Sequence, residues 1–182
     1  MSISPNSVRT NIKILSAVGL LFGISACMST SPQLGPDASA WSDYLSWYKV
    51  TPEAVTGDPT GTLGSVHDGS NAYRQIYVNS TGEAVNRGTQ GYPYPEGTIL
   101  LKESFNNVAA LESRRNPDLT IMIKLAAGQS PETGGWEYVM GADGGRRGTG
   151  SSDLGAFCRD CHLFAAATDY NFINSRFFQN NR

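Results

Sequence analysis

Four short runs rich in Ile, Val, Tyr and Leu fill the middle of the chain: "AYRQIYVN" (72–79), "GTILLKES" (97–104), "LTIMIKLAA" (119–127) and "GWEYVMG" (135–141). Turn-forming residues separate them, so each reads as a strand. Their connections are short, and parallel pairing demands a crossover of about a dozen residues or more each time, which makes antiparallel pairing the expectation. Ahead of them, "WSDYLSWYKV" puts Trp41, Tyr44, Leu45 and Tyr48 at helical spacing, with Ser39 or Asp37 available as cap. That spacing predicts a short amphipathic helix with its aromatic stripe in the core. Residues 51–71 are crowded with Gly, Pro, Asp and Asn and read as an excursion of turns. With 182 residues, 40% of them hydrophobic, the chain suffices for one ordinary core. The expected class is α+β, an antiparallel sheet with a few flanking helices.

Side chains alternate between the faces of a strand, and that alternation marks two cations. In "YRQIYV" Arg74 shares a face with Ile76 and Val78; in "TILLKES" Lys102 shares one with Leu100. The commoner explanation is a partly solvated face, with Lys102 as an edge lysine that discourages strand pairing. The other is a pocket holding a group able to compensate both charges.

Near the C-terminus, "GAFCRDCHLF" contains Cys158, Cys161 and His162 in a C-x-x-C-H arrangement. On a helical turn, positions i and i+3 lie on one face, so both thiols can add to the vinyl groups of one porphyrin edge. His162 can then bring a ring nitrogen to the iron, which makes the motif the attachment signature of haem c on a C-terminal helix. A zinc site would need a further ligand, and beyond these residues the only other Cys and His are Cys27 and His67. A redox C-x-x-C belongs in a thioredoxin-like βαβ context that the sequence does not offer. The preceding "GADGGRRGTGSSDLG" (141–155) lacks the G-K-[ST] ending of a phosphate-binding loop. It reads as a flexible loop whose Arg146 and Arg147 are either solvated, the preferred reading, or set to meet haem propionates. An electron carrier would fill the sixth iron position with His67, Met122 or Met140. None of these sits in a persuasive ligand context, so an open distal side is expected.

The chain starts with a basic segment carrying Arg9 and Lys13, then "ILSAVGLLFGISA", an apolar run too short to span a bilayer. Residues 1–26 read as a signal peptide. They end at "ISAC", which looks like a bacterial lipobox with Cys27 as the lipidated residue; a plain signal-peptide cut nearby is the alternative. Residues 28–40, rich in Ser and Pro, read as a flexible spacer of about 20 Å reach, so that 27–40 tethers a domain at 41–182. Without Arg9 and Lys13 the mature chain carries 12 basic and 16 acidic residues, a net charge of −4. That balance argues against nucleic acid as a partner. The membrane is expected as a partner through the lipid anchor only, and the periplasm as the compartment.

The order of motifs resembles the cytochrome P-460 family, including the cytochromes c′-β. It runs "TPE", "YRQIYVN", "EGTILLKE", "MIK", "GWEYVMG", "CRDCH", "TDYNF" and "RFF", over roughly residues 51–178. The resemblance implies a small, sheet-rich, homodimeric periplasmic haem protein with five-coordinate iron in the resting or reduced state. It implies that Lys102 occupies the position of a lysine covalently bonded to a porphyrin meso carbon, and that Arg74 contacts the distal pocket or a propionate. It also implies oxidation of hydroxylamine to nitrous oxide or related nitrogen oxides, with electrons passing to an electron-accepting cytochrome. Such oxidation needs a proton acceptor. Asp153, in the loop leading to the haem motif, is the first candidate, and Asp118 at a strand start is the second; the alternative for either is simple solvation, the commoner state of an aspartate in a Gly-rich loop. The alternatives are a nitric-oxide-binding protein of the c′-β kind with Lys102 free, and an electron-transfer cytochrome.

Overall fold

A computed structural model describes Met1 and residues 34–58, 72–174 and 177–178. Cys27 and His67 lie outside the described residues, as do the signal segment after Met1 and residues 28–33 of the spacer. Six strands form one antiparallel meander in chain order: β1 (Tyr48–Lys49), β2 (Tyr73–Val78), β3 (Ile99–Phe105), β4 (Asp118–Lys124), β5 (Trp136–Met140) and β6 (Arg146–Gly148). Helices are few and short except the last: α1 (Glu83–Asn86), α2 (Val108–Glu112) and α3 (Asp153–His162). The architecture is the expected α+β one, with its C-terminal helix.

Both faces of the sheet are buried. On one, Tyr77, Leu101, Ile121, Ile123 and Val139 pack beneath Trp41, with Tyr44 and Trp47 alongside. On the other, Val78, Leu100, Trp136 and Tyr138 meet Val85, Tyr94, Ile173 and Phe177. The first face also buries charge. Glu103 accepts from the Tyr44 hydroxyl at 2.6 Å and pairs with Arg114, which also donates to Gln75 and to the Tyr77 oxygen.

Three expectations are corrected. The helix predicted over the aromatic stripe is instead two 3-10 turns, Ala38–Trp41 and Tyr44–Ser46, followed by β1. The Ser42 and Ser46 hydroxyls donate to the carbonyls of Ser39 and Asp43, local bonds that compete with an α-helical ladder. Asp37 does cap the first turn, accepting from the Ser39 amide at 3.0 Å. Ordered contacts also begin ahead of Trp41: Gly35 donates to Glu137 at 2.7 Å and accepts from Arg147 at 3.1 Å.

The third correction concerns the glycine-rich stretch read as a flexible loop, which contains β6 and the seat of α3. A Cβ on Gly148 would stand 2.4 Å from the Gly155 nitrogen, and one on Gly155 would stand 2.8 Å from the Thr149 carbonyl. The glycines are therefore spent on close approach of the α3 backbone to the sheet edge. Ser152 closes the helix start by accepting from the Gly155 amide at 3.2 Å.

Candidate functional site

Strand register assembles the site. Ile76, Lys102, Thr120 and Met140 are successive cross-strand partners, and so are Val78, Leu100, Met122 and Tyr138. Partners share a face, so these rows, apart from the fully buried Val78, and Arg74 form one wall of a cavity of about 350 Å³. α3 supplies Phe157, Cys158, Cys161 and His162 to the same cavity, and Asn171, Phe172 and Ile173 border it from the following loop. Cysteines at i and i+3 do lie on a helix, with His162 as its last residue.

The histidine is held in one tautomer. Its Nδ1 lies 2.7 Å from the Tyr170 carbonyl oxygen. A carbonyl only accepts, so Nδ1 carries the proton and Nε2 keeps the lone pair a metal needs. Burial pulls the ring's pKa down to about 4, against the Tyr170 carbonyl, which favours the cation; Lys102 lowers it further. The neutral ring is the ligating form.

Cys158 and Cys161 are free and half-buried. Burial pushes the Cys158 thiol up to about 11, opposed by the Lys102 charge. Redox-active C-x-x-C thiols have lowered pKa values, so the electrostatics here oppose that alternative. Among the described residues no three His, Cys, Asp or Glu side chains gather to hold a metal ion.

The wall carries two polar features that fit a large planar cofactor. The Tyr138 hydroxyl is buried and has no hydrogen-bond partner among the described residues, with its ring 5.3 Å from that of His162. Lys102 is half-buried, and the described residues give its amine neither a hydrogen bond nor an ion pair. Burial, with the Arg74 charge adding, lowers its pKa to about 8. Arg74 itself is buried and donates to the Gly57 carbonyl, which folds residues 55–58 against the cavity.

A family model described as cytochrome P460 matches residues 42–173, a stretch containing the whole wall, α3 and the Tyr170 loop. The chain belongs to the cytochrome P460 family. Members of the cytochrome P460 family bind haem c with iron, and haem c is the cofactor here. A search of curated proteins returned no match. Within the cytochrome P460 frame, the residues fit the group: Cys158 and Cys161 would hold the porphyrin edge, and His162 the iron.

The structure separates the other residues singled out in the sequence. Arg147 is on the opposite face from the cavity, paired at 2.5 Å with the buried Glu137, so it is neither solvated nor turned toward the haem. Arg146 partners Met140, sharing the cavity's face of the sheet, and is exposed. Met122 and Met140 both border the cavity. Asp153 is exposed in the first turn of α3, where its charge suits the helix dipole, and Asp118 is exposed at the start of β4; neither borders the cavity. Among the described residues, the carboxylate that does so is Asp58. Sequence reasoning missed it because "TGDPTG" has no periodicity to give its side chain a direction.

Proposed function

We propose that this cytochrome P460-family chain is a periplasmic c-type haem enzyme that oxidises hydroxylamine to nitrous oxide or related nitrogen oxides, with Lys102 bonded to the porphyrin. The observation that carries the reading is Lys102 itself, which shares one cavity with Cys158, Cys161 and His162 and lacks a polar partner among the described residues. An ammonium in that position is uncompensated, whereas an amine bonded to carbon needs no counter-charge. Its lowered pKa supplies the neutral nucleophile. Forming the link replaces an N–H at Lys102 Nζ and a meso C–H by a C–N bond. The two protons and two electrons released pass to an oxidant of the peroxide class.

When bound, the haem supplies the iron that takes electrons from the substrate nitrogen. The chain's residues do the rest. Arg74 would orient the oxygen of the substrate or a propionate, and Asp58 would accept protons as N–H and O–H bonds break. Converting hydroxylamine to nitrous oxide and water releases protons and electrons in equal number, and the electrons go to an electron-accepting cytochrome. The exposed Leu163 and Phe164 support a second copy of the chain as a further partner. The "ISAC" sequence supports a lipid anchor at Cys27.

A second reading, nitric oxide binding with Lys102 free, is favoured by the partial exposure of Lys102, which lets water solvate its amine. Peptide mapping of the holoprotein decides between them. A cross-linked protein yields one haem carrying both the "CRDCH" peptide and a peptide spanning "ILLKES", and Lys102→Ala then loses the second peptide together with hydroxylamine turnover. A wild-type haem carrying a single peptide would sink the cross-link and leave gas binding as the function. A low-spin six-coordinate spectrum would instead mark an electron carrier.

A further inference from the structure

Asp169 and Tyr170 are consecutive residues with positive φ, 53° and 61°. Side chains bearing a Cβ rarely adopt this conformation, and two in succession require support from their surroundings. The support is specific. Lys124 pairs with Asp169 Oδ1 at 2.6 Å and donates to the Gly134 carbonyl at 2.7 Å. The Tyr94 amide donates to Asp169 Oδ2 at 2.8 Å, and the Trp136 indole N–H donates to the Asp169 carbonyl at 2.8 Å. The Tyr170 ring lies over Gly134, where a Cβ would come within 2.2 Å of it. The ion pair is largely buried, with side-chain exposures of 12% and 9%.

Three of these bonds end on Asp169 in one short turn, and the turn's output toward the cavity is the Tyr170 carbonyl that accepts from His162 Nδ1. We propose that the Lys124–Asp169 ion pair, with Trp136 and Gly134, fixes this carbonyl and thereby sets how strongly His162 donates to the haem iron. Lys124 and Asp169 are positioning residues, acting through Tyr170 and His162. The inference rests on His162 being the axial ligand. A carbonyl held firmly on Nδ1–H makes the imidazole more electron-rich, which favours ferric iron and strengthens the iron–histidine bond. A slackened turn weakens both effects.

The test uses the holoprotein with Asp169→Asn and Lys124→Met, measuring the haem midpoint potential and the ferrous iron–histidine stretching frequency by resonance Raman. The expected result is an upward shift of potential and a downward shift of frequency in both variants, with recovery toward wild type in Lys124→Arg. A through-space charge effect predicts potential shifts of opposite sign, because one variant removes an anion and the other a cation. Opposite signs, or no change in either quantity, would overturn the proposal. If the charge variants fail to fold, Trp136→Phe removes the indole N–H from the Asp169 carbonyl, together with part of the ring, while keeping both charges of the pair. It should move both quantities in the same directions by less, and no movement overturns the proposal equally. The underlying assignment fails separately: His162→Gly with an unchanged axial-ligand signature would show that another residue ligates the iron.

Discussion

A lysine amine between Ile76 and Thr120, facing a cavity with Arg74 as neighbour, gives up its proton more readily than one in water. The folded pKa of about 8 lies below the ordinary 10.5, so between those values the unfolded chain binds more protons than the folded one. Stability of the haem-free protein should therefore rise as pH climbs from about 8 toward 10.5, with the penalty fully present below 8. Lys102→Met should flatten that rise, as urea unfolding on either side of about 8 would detect; an identical slope in the variant would place the titration elsewhere. That Lys102 and Arg74 share a face with apolar neighbours was legible in the sequence, because alternation along a strand is local; whether that face was solvated or lined a pocket was not. Their confinement with His162 and Cys158 was not, since no spacing relates β2 and β3 to α3.

At the scale of elements, haem attachment depends on where α3 is seated. The Gly148–Gly155 contact leaves no space for a side chain, and overpacking of such a contact costs about 1–3 kcal/mol. Gly155→Val is expected to lower the melting temperature and to reduce thioether-bound haem, because both thiols ride on the displaced helix. Unchanged haem loading in that variant would mean that α3 finds its place without β6. The helical placement of the C-x-x-C-H motif could be read from its own spacing. The reason for the glycines before it could not, because a glycine serving close approach and a glycine serving flexibility are the same letter.

Across the whole molecule, the two sheet faces divide the work: one holds the cavity, and the other is closed by residues 35–47 and two ion pairs whose carboxylates are buried. Glu137 is fully buried, and Arg147 with the Gly35 amide compensates it. Arg147→Ala leaves a buried carboxylate short of a partner and should cost about 3 kcal/mol in chemical denaturation. The spectrum of the bound haem should stay close to wild type, because the pair is on the far face. The proposed anchor is tested at the same scale: Cys27→Ser should release the protein from membranes in fractionation, and equal retention of the two proteins would sink the lipobox reading.

The amino-acid sequence alone determined the strand-rich α+β class, the helix carrying the C-x-x-C-H motif and the placing of Lys102 and Arg74 on a face with apolar neighbours, because each is written in a repeat or spacing of a few residues. The tertiary structure decided which groups meet. It brought Asp58 to the cavity and left Asp153 in solvent, set Arg147 on Glu137, and tied the Asp169–Tyr170 turn to Lys124 and Trp136 behind His162. These pairings join residues that are remote in the chain or lie on different elements. They exist only once the strands have fixed their register and the chain has packed onto both faces, since burial and hydrogen bonding are properties of the assembled neighbourhood and not of any one segment.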